Sequence, residues 1–367
     1  MSSPGPTPAR RYPTLDVLRL VAIGMTVLVH MPSLRQSNWL LRPFNHSFWL
    51  GVDLFMLISG WLVGSQLLRE AQGGPINARR FYIRRWFRTL PPYYVVLAVV
   101  LFMGPKSAPS PLTTLSHFAF LQTYFPPNLY GVSWSLCVEE HFYLLLPVLV
   151  ALLMRRPTLP RLLGLIAAQE LVALVARGLA YGPNASQPYA THVRSDGLFL
   201  GLFFAWMHLA RPQLWEKIGR FTTPLFIAGT VSTLLLMTTG APSTWSYVAL
   251  PTIGTWSLAL IFLPCVHDAS PLSRITFPGL MYLGELTYSA YLIHAAIPEG
   301  WVHAFRGASV GVPGLAWRGL LVVGLSVALH HTVERPALRL RQRLMRASPI
   351  ATHAQKVDVA AADQTGA

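Results

Sequence analysis

Six short stretches of this sequence set chemically capable side chains inside runs that are otherwise apolar. The first, LDVLRLVAIGMTVLVH at residues 15–30, holds Arg19 and His30. Eleven residues are close to three helical turns, so the two side chains share one helix face and stand about 16 Å apart along its axis. A guanidinium grips oxyanions in a fork. An imidazole accepts a proton near neutral pH and so serves as a general base. Each alone has a plainer reading: Arg19 as a snorkelling interfacial cation, His30 as a hydrogen-bonded core residue. The common face favours a joint role, because an ionisable group inside a span costs about 2.5–3.5 kcal/mol on insertion scales.

The other five stretches carry the same tension. GVDLFMLISGWLVG (51–64) brings Asp53 towards the end of its run, in the half expected to hold His30, where a carboxylate can orient an imidazole. Ser59 and Gly60 in the same run permit close helix packing. RRFYIRRWFRTLPPYY (79–94) has five arginines within ten residues, interleaved with aromatics. That density suits retention on the inner face of a membrane, and it equally suits a grip on a phosphate-bearing ligand. GVSWSLCVEEHFYLLLP (131–147) offers Ser135, Glu139 and Glu140, and the four-residue spacing puts Ser135 and Glu139 on one face. THVRSDGLFLGLFFA (191–205) opens on Arg194 and Asp196, two apart and therefore on different faces, as a cap and a surface charge are. LGELTYSAYLIH (283–294) adds Tyr291 and His294 after Glu285, with a polar-faced packing helix as the alternative. His, Cys and carboxylates are too scattered for a zinc set, so no metal is expected.

The elements that must position these groups follow from composition. The chain has 367 residues, 53% hydrophobic and only 12% charged. A soluble domain carries about 25% charge, so an all-α integral membrane protein is expected. Ten spans fit the apolar runs, at 15–33, 48–68, 86–103, 134–154, 161–180, 195–210, 222–240, 246–266, 281–298 and 315–333. The ninth is the most polar of them. The net charge of +15 does not point to nucleic acid, because the Lys and Arg residues sit in the short connections. With the N-terminus inside, they favour the inner side by roughly three to one, which places both termini in the cytoplasm. The first run is long and lacks a cleavage site, so it reads as an uncleaved span. Residues 1–14 and 337–367 are expected as cytoplasmic tails, the second disordered, around a membrane domain at 15–336. A long outer connection is expected at 104–133. Cys137 and Cys265 fall on opposite sides, against a disulfide. No internal repeat is visible, which disfavours many transporter architectures.

Taken together, the motifs resemble the acyltransferase-3 superfamily of bacterial membrane O-acyltransferases. They are an Arg and a His eleven apart in the first span, GVDLFxxxSG, FYIRRxxR, WSLxxEExFYLLxP, an RxDxLxxG-like span and LGxxTYxxYLxH. The likeness covers about residues 14–336. It departs at Met56, where a Phe is usual, and Cys137 and His141 fall at variable positions. The resemblance implies a ten-span core that moves acyl groups, commonly acetyl from acetyl-CoA, onto hydroxyls of carbohydrates or glycosylated secondary metabolites in the inner membrane. It implies His30 as the catalytic base or as the site of a transient acyl group, with Glu139 or Asp53 orienting and stabilising its ring. Arg19, Arg85 and Arg88 would hold the CoA donor. Arg194, Asp196, Ser135, Tyr291 and His294 would meet the substrate, Arg194 as a donor to the oxyanion. With no esterase-like segment after the tenth span, direct transfer to the final acceptor is expected. The rival reading is a non-enzymatic transporter or flippase that moves a polar substrate along the same intramembrane charges.

Overall fold

The computed structural model describes residues 12–31, 48–103, 109–125, 127–155, 158–180, 189–238, 244–297 and 311–346. Among these residues the chain is all helical. Its main elements are α1 (Thr14–Val29), α2 (Leu50–Gly73), α3 (Ala78–Phe102), α4 (Pro111–Phe118), α5 (Trp134–Arg155), α6 (Leu159–Ala180) and a single turn α7 (Thr191–Arg194). They continue with α8 (Asp196–Ala210), α9 (Pro212–Gly219), α10 (Thr222–Thr238), α11 (Thr244–Val266), α12 (Leu280–Ile293), α13 (Gly311–Leu329) and α14 (Arg335–Arg346). A π-helical turn, His330–Glu334, joins the last two.

Among the described residues, each expected span overlaps a helix. Four stretches are long and apolar enough to cross a membrane: Leu50–Gly73, Gly131–Leu153, Leu159–Ala180 and Val248–Val266. A fifth arises if α9 and α10, bent by 72° at their junction, are one span. The chain is thus a multi-pass helical membrane protein. Helices α1, α8 and α12 have 16, 15 and 14 residues, short of the ~20 that a perpendicular crossing needs. Polar groups interrupt or bound their apolar runs: Arg19 in α1, Arg194 before α8 and Asp196 at its first position, and Glu285 in α12.

Three elements depart from expectation. The arginine-rich segment is not a loop but the first turns of α3. The Asn77 side chain caps that helix at the Arg80 amide (2.9 Å), and Glu70 accepts from the Asn77 amide (2.9 Å). The outer connection contains α4, capped by Ser110 at the Thr113 amide (3.1 Å) and tied to α3 by hydrogen bonds from Tyr93 to the His117 carbonyl and from Tyr94 to the Phe118 carbonyl. Residues 337–346, expected as disordered tail, belong to α14. Leu338, Arg341 and Met345, spaced three or four apart, turn one face of that helix towards the protein, where it packs on α3. Arg35, Arg42, Lys106 and Arg306, counted on the outer side, lie outside the described residues. Both cysteines are free and buried.

The closest helix pair is α2 against α8. Glycines on both sides let the backbones touch. A Cβ at Gly60 would lie 2.2 Å from the Leu198 carbonyl oxygen, and one at Gly201 would lie 2.3 Å from that of Leu57. Neither carbonyl can move without breaking its helix. Gly201→Val is therefore expected to abolish recovery of folded protein, read as the loss of a monodisperse peak on gel filtration in detergent. A normal peak would show that the pair is looser than this geometry. Helix α1 packs on α2 and α12, so the glycine-welded pair sets the position of Arg19 and His30.

Candidate active site

The central cavity opens between α1, α2, α3, α5 and α12 and has a volume of about 330 Å³. Arg19, Arg85 and Arg88 line it together with Glu139, Ser135 and Tyr291. Six of the eleven residues singled out from sequence thus meet on one wall system. Arg19 is held by an ion pair with Asp16 one turn earlier (2.6 Å). Arg85 lies over the ring of Tyr143, 4.2 Å from its centroid, and beside Glu139. Glu139 lies near Ser59 and Tyr143, whose hydroxyls hydrogen-bond each other. The Arg85 Nε is buried without a hydrogen-bond partner. A cationic donor of that kind is costly to leave unsatisfied and stands ready for an incoming acceptor. Glu140, next in sequence, points elsewhere and accepts from Thr89 (2.9 Å).

At the other end of the cavity the Ser135 and Tyr291 hydroxyls meet at 2.5 Å, and Tyr291 also donates to the Val132 carbonyl (2.8 Å). Behind Tyr291 stands a pair of imidazoles. The His294 ring is 5.5 Å from that of Tyr291 and 4.9 Å, edge to face, from that of His30. His294 is fully buried. Its Nδ1 sits 2.6 Å from the Tyr291 carbonyl, and its Nε2 has no partner. His30 caps the end of α1 and is exposed, with Nδ1 3.0 Å from the Thr26 carbonyl. A carbonyl only accepts, so Nδ1 of the neutral ring carries the proton and Nε2 is the basic nitrogen. The orienting group expected at Asp53 or Glu139 is therefore a backbone carbonyl one turn back on the same helix. Asp53 does not reach the ring.

Asp53, Arg194 and Asp196 form a separate, buried ionic layer. Arg194 donates to Asp53 across 2.8 Å, and its guanidinium lies between the rings of Trp49 (5.1 Å) and Trp134 (5.3 Å). Asp196 pairs with Arg177 at 2.5 Å, as the different facing of residues two apart requires. Arg177 also donates to the Val193 carbonyl (2.7 Å from Nη2) and to Thr252 (2.8 Å). Neither pair lines the cavity. Charges in so poor a solvent seek partners, and these found one another. The geometry makes them ties among α2, α6, α7, α8 and α11. It gives Arg194 a carboxylate where the sequence suggested an oxyanion.

Sequence reasoning passed over several lining groups: Ser59, except as a packing residue, and Gln66, Thr89, Thr287 and Tyr288. Their signal was there, as polar residues on otherwise apolar helices. Tyr288 also ties α12 to α3 through the Thr89 carbonyl (2.7 Å).

A multi-pass helical protein with a cavity lined by arginines, and with two imidazoles packed behind the tyrosine on its wall, has the parts of a membrane group-transfer catalyst. The acyltransferase domain family matches residues 12–331, and the chain belongs to that family. It is 28% identical over 319 residues to the O-acetyltransferase OatA of Staphylococcus aureus, covering 78% of this chain and 51% of the relative. It is 28% identical over 326 residues to the peptidoglycan O-acetyltransferase OatA of Listeria monocytogenes, covering 79% and 50%. A putative O-acetyltransferase of Staphylococcus aureus is 26% identical over 329 residues, covering 81% and 52%. The chain spans about half the length of these relatives. No solved structure matches it significantly.

Proposed function

We propose that this protein is a membrane O-acyltransferase that moves an acyl group, acetyl in the simplest case, from acyl-CoA to a hydroxyl of a carbohydrate or glycosylated acceptor. On this reading the helices make ten crossings of the bacterial cytoplasmic membrane, with both ends of the chain inside. The observation that carries the proposal is one cavity with Arg19, Arg85, Arg88, Ser135 and Tyr291 on its walls, with His294 and His30 packed in turn beyond Tyr291. Arginines suit the phosphates of a donor. The saccharide class of the acceptor follows the Listeria relative, a peptidoglycan O-acetyltransferase.

The chemistry then runs as an acyl transfer. His30 Nε2 takes the proton of the acceptor hydroxyl while that oxygen attacks the thioester carbonyl. The C–O bond forms, the C–S bond breaks, and the departing thiolate takes up a proton in turn. Thr26 fixes the His30 tautomer from behind. Glu139 acts on Arg85 rather than on the imidazole, holding the guanidinium against Tyr143.

Membranes carrying the protein are expected to release CoASH from acetyl-CoA only when a suitable saccharide acceptor is added, with acetyl label appearing on that acceptor. Acceptor crossing the membrane with no thioester consumed, across several acyl-CoA donors, would replace this reading by a transporter.

A further inference from the structure

Helix α14, RPALRLRQRLMR at 335–346, carries five arginines and no carboxylate. The protein itself engages two of them. Arg335 donates from Nε to His330 (3.1 Å) and stands 3.7 Å from Glu285, and Arg341 donates to the Arg84 carbonyl (3.3 Å). Arg339 and Arg343 are exposed, one turn apart, and make no hydrogen bond or ion pair among the described residues. Leu340 and Leu344, 50% and 49% exposed, are also one turn apart. A single exposed leucine needs no explanation. Two on one stripe, beside two arginines, make an amphipathic face. At 3.6 residues per turn the helix has three sides, each roughly a third of the way round. Leu338, Arg341 and Met345 face the protein, Arg339 and Arg343 form the second side, and Leu340 and Leu344 the third.

Depth decides what covers the two free sides. Helix α3 ends at Phe102, which is 92% exposed at the end of an apolar run. About 20 helical residues cross the hydrocarbon, and counting them back from Phe102 reaches Tyr82. Tyr82 stacks on the exposed Trp86 (5.2 Å), and aromatics of that kind mark the membrane boundary. Arg84 lies between these two in sequence, and Arg341 is bonded to it. The middle of α14 therefore sits where acyl chains give way to headgroups. We propose that Arg339 and Arg343 bind the phosphodiester headgroups of anionic phospholipids, with Leu340 and Leu344 against the acyl chains. Bound lipid then holds α14 from one side as α3 holds it from the other. The inference goes beyond the acyl-transfer reading and does not depend on it.

The purified full-length protein in phosphatidylcholine nanodiscs, with and without phosphatidylglycerol, tests this. Cys137 and Cys265 are buried, so an environment-sensitive fluorophore on Leu344→Cys reports on α14. With phosphatidylglycerol its emission should shift to the blue and be quenched by lipid carrying a headgroup-level nitroxide. Without it the ratio of docked to water-exposed label should fall by on the order of 25-fold, about fivefold for each arginine. Arg339→Glu/Arg343→Glu should erase the difference between the discs. Arg220→Glu/Arg274→Glu makes the same change of net charge at exposed arginines elsewhere in the chain, and should keep it. Unlabelled wild type purified from a membrane containing phosphatidylglycerol should retain that lipid, and the Arg339→Glu/Arg343→Glu protein should lose it. A label in water in both discs overturns the proposal, and so does one equally buried in both. So does a difference that survives the reversal on α14 or disappears in the control. A label shielded only where gel filtration shows a dimer would make the occupant a second copy of the chain instead.

Discussion

His30→Ala is expected to lower acceptor-dependent CoASH release by about 10²–10⁴-fold, the usual worth of a positioned general base, while the protein inserts and purifies as wild type. The expectation comes from position as much as from residue type. His30 stands at the end of α1, exposed, with no helical turn built upon it among the described residues. Its removal leaves the packing of α1 against α2 intact, so a loss of activity is read as chemistry. The Nδ1 contact to Thr26 leaves Nε2 as the basic nitrogen. His30→Gln can keep a hydrogen bond but has no proton-accepting nitrogen, so it should be as inactive as alanine. Equal release from wild type and both variants would retain the enzyme and sink the histidine mechanism. Release reduced only a fewfold would point to a binding role. The neighbouring His294 supplies a contrast. It is fully buried against Tyr291, so His294→Ala should cost folded yield as well as rate.

Much of this arrangement was legible in the sequence, and the parts that were not share a cause. Apolar runs of membrane length announce helices because a backbone in lipid must satisfy itself. Spacing announced that Arg19 and His30 share a face, that Ser135 and Glu139 do, and that Arg194 and Asp196 do not. Partners across helices left no such trace. Asp53 and Arg194 are 141 residues apart, and nothing local says which carboxylate meets which cation. The orienting group on His30 is a main-chain carbonyl, and every residue carries one. Helix α14 was hidden for a different reason. Its RPALRLRQRLMR sequence reads as a polar tail by charge, while the spacing of Leu338, Arg341 and Met345 makes it a docked helix.

Breaking the Asp53–Arg194 pair is expected to destabilise the protein by about 3–5 kcal/mol, the cost of leaving one buried charge alone. Asp53→Ala strands a guanidinium between two tryptophans, and Arg194→Met strands a carboxylate. Either should be seen as a large fall in the detergent unfolding midpoint. The pair itself is not well satisfied. Asp53 Oδ2 and Arg194 Nε are both buried without hydrogen-bond partners. Its attraction therefore only partly offsets desolvation, and an apolar replacement of similar volume can do as well. The double variant Asp53→Leu/Arg194→Met is accordingly expected to recover most of the stability that either single change loses. Activity per folded molecule then decides the role of the pair. A stable double variant with near-normal transfer makes Asp53 and Arg194 a structural tie between α2 and α7. A stable double variant without activity would return them to the reacting groups, where their charges, rather than their pairing, are what the protein keeps.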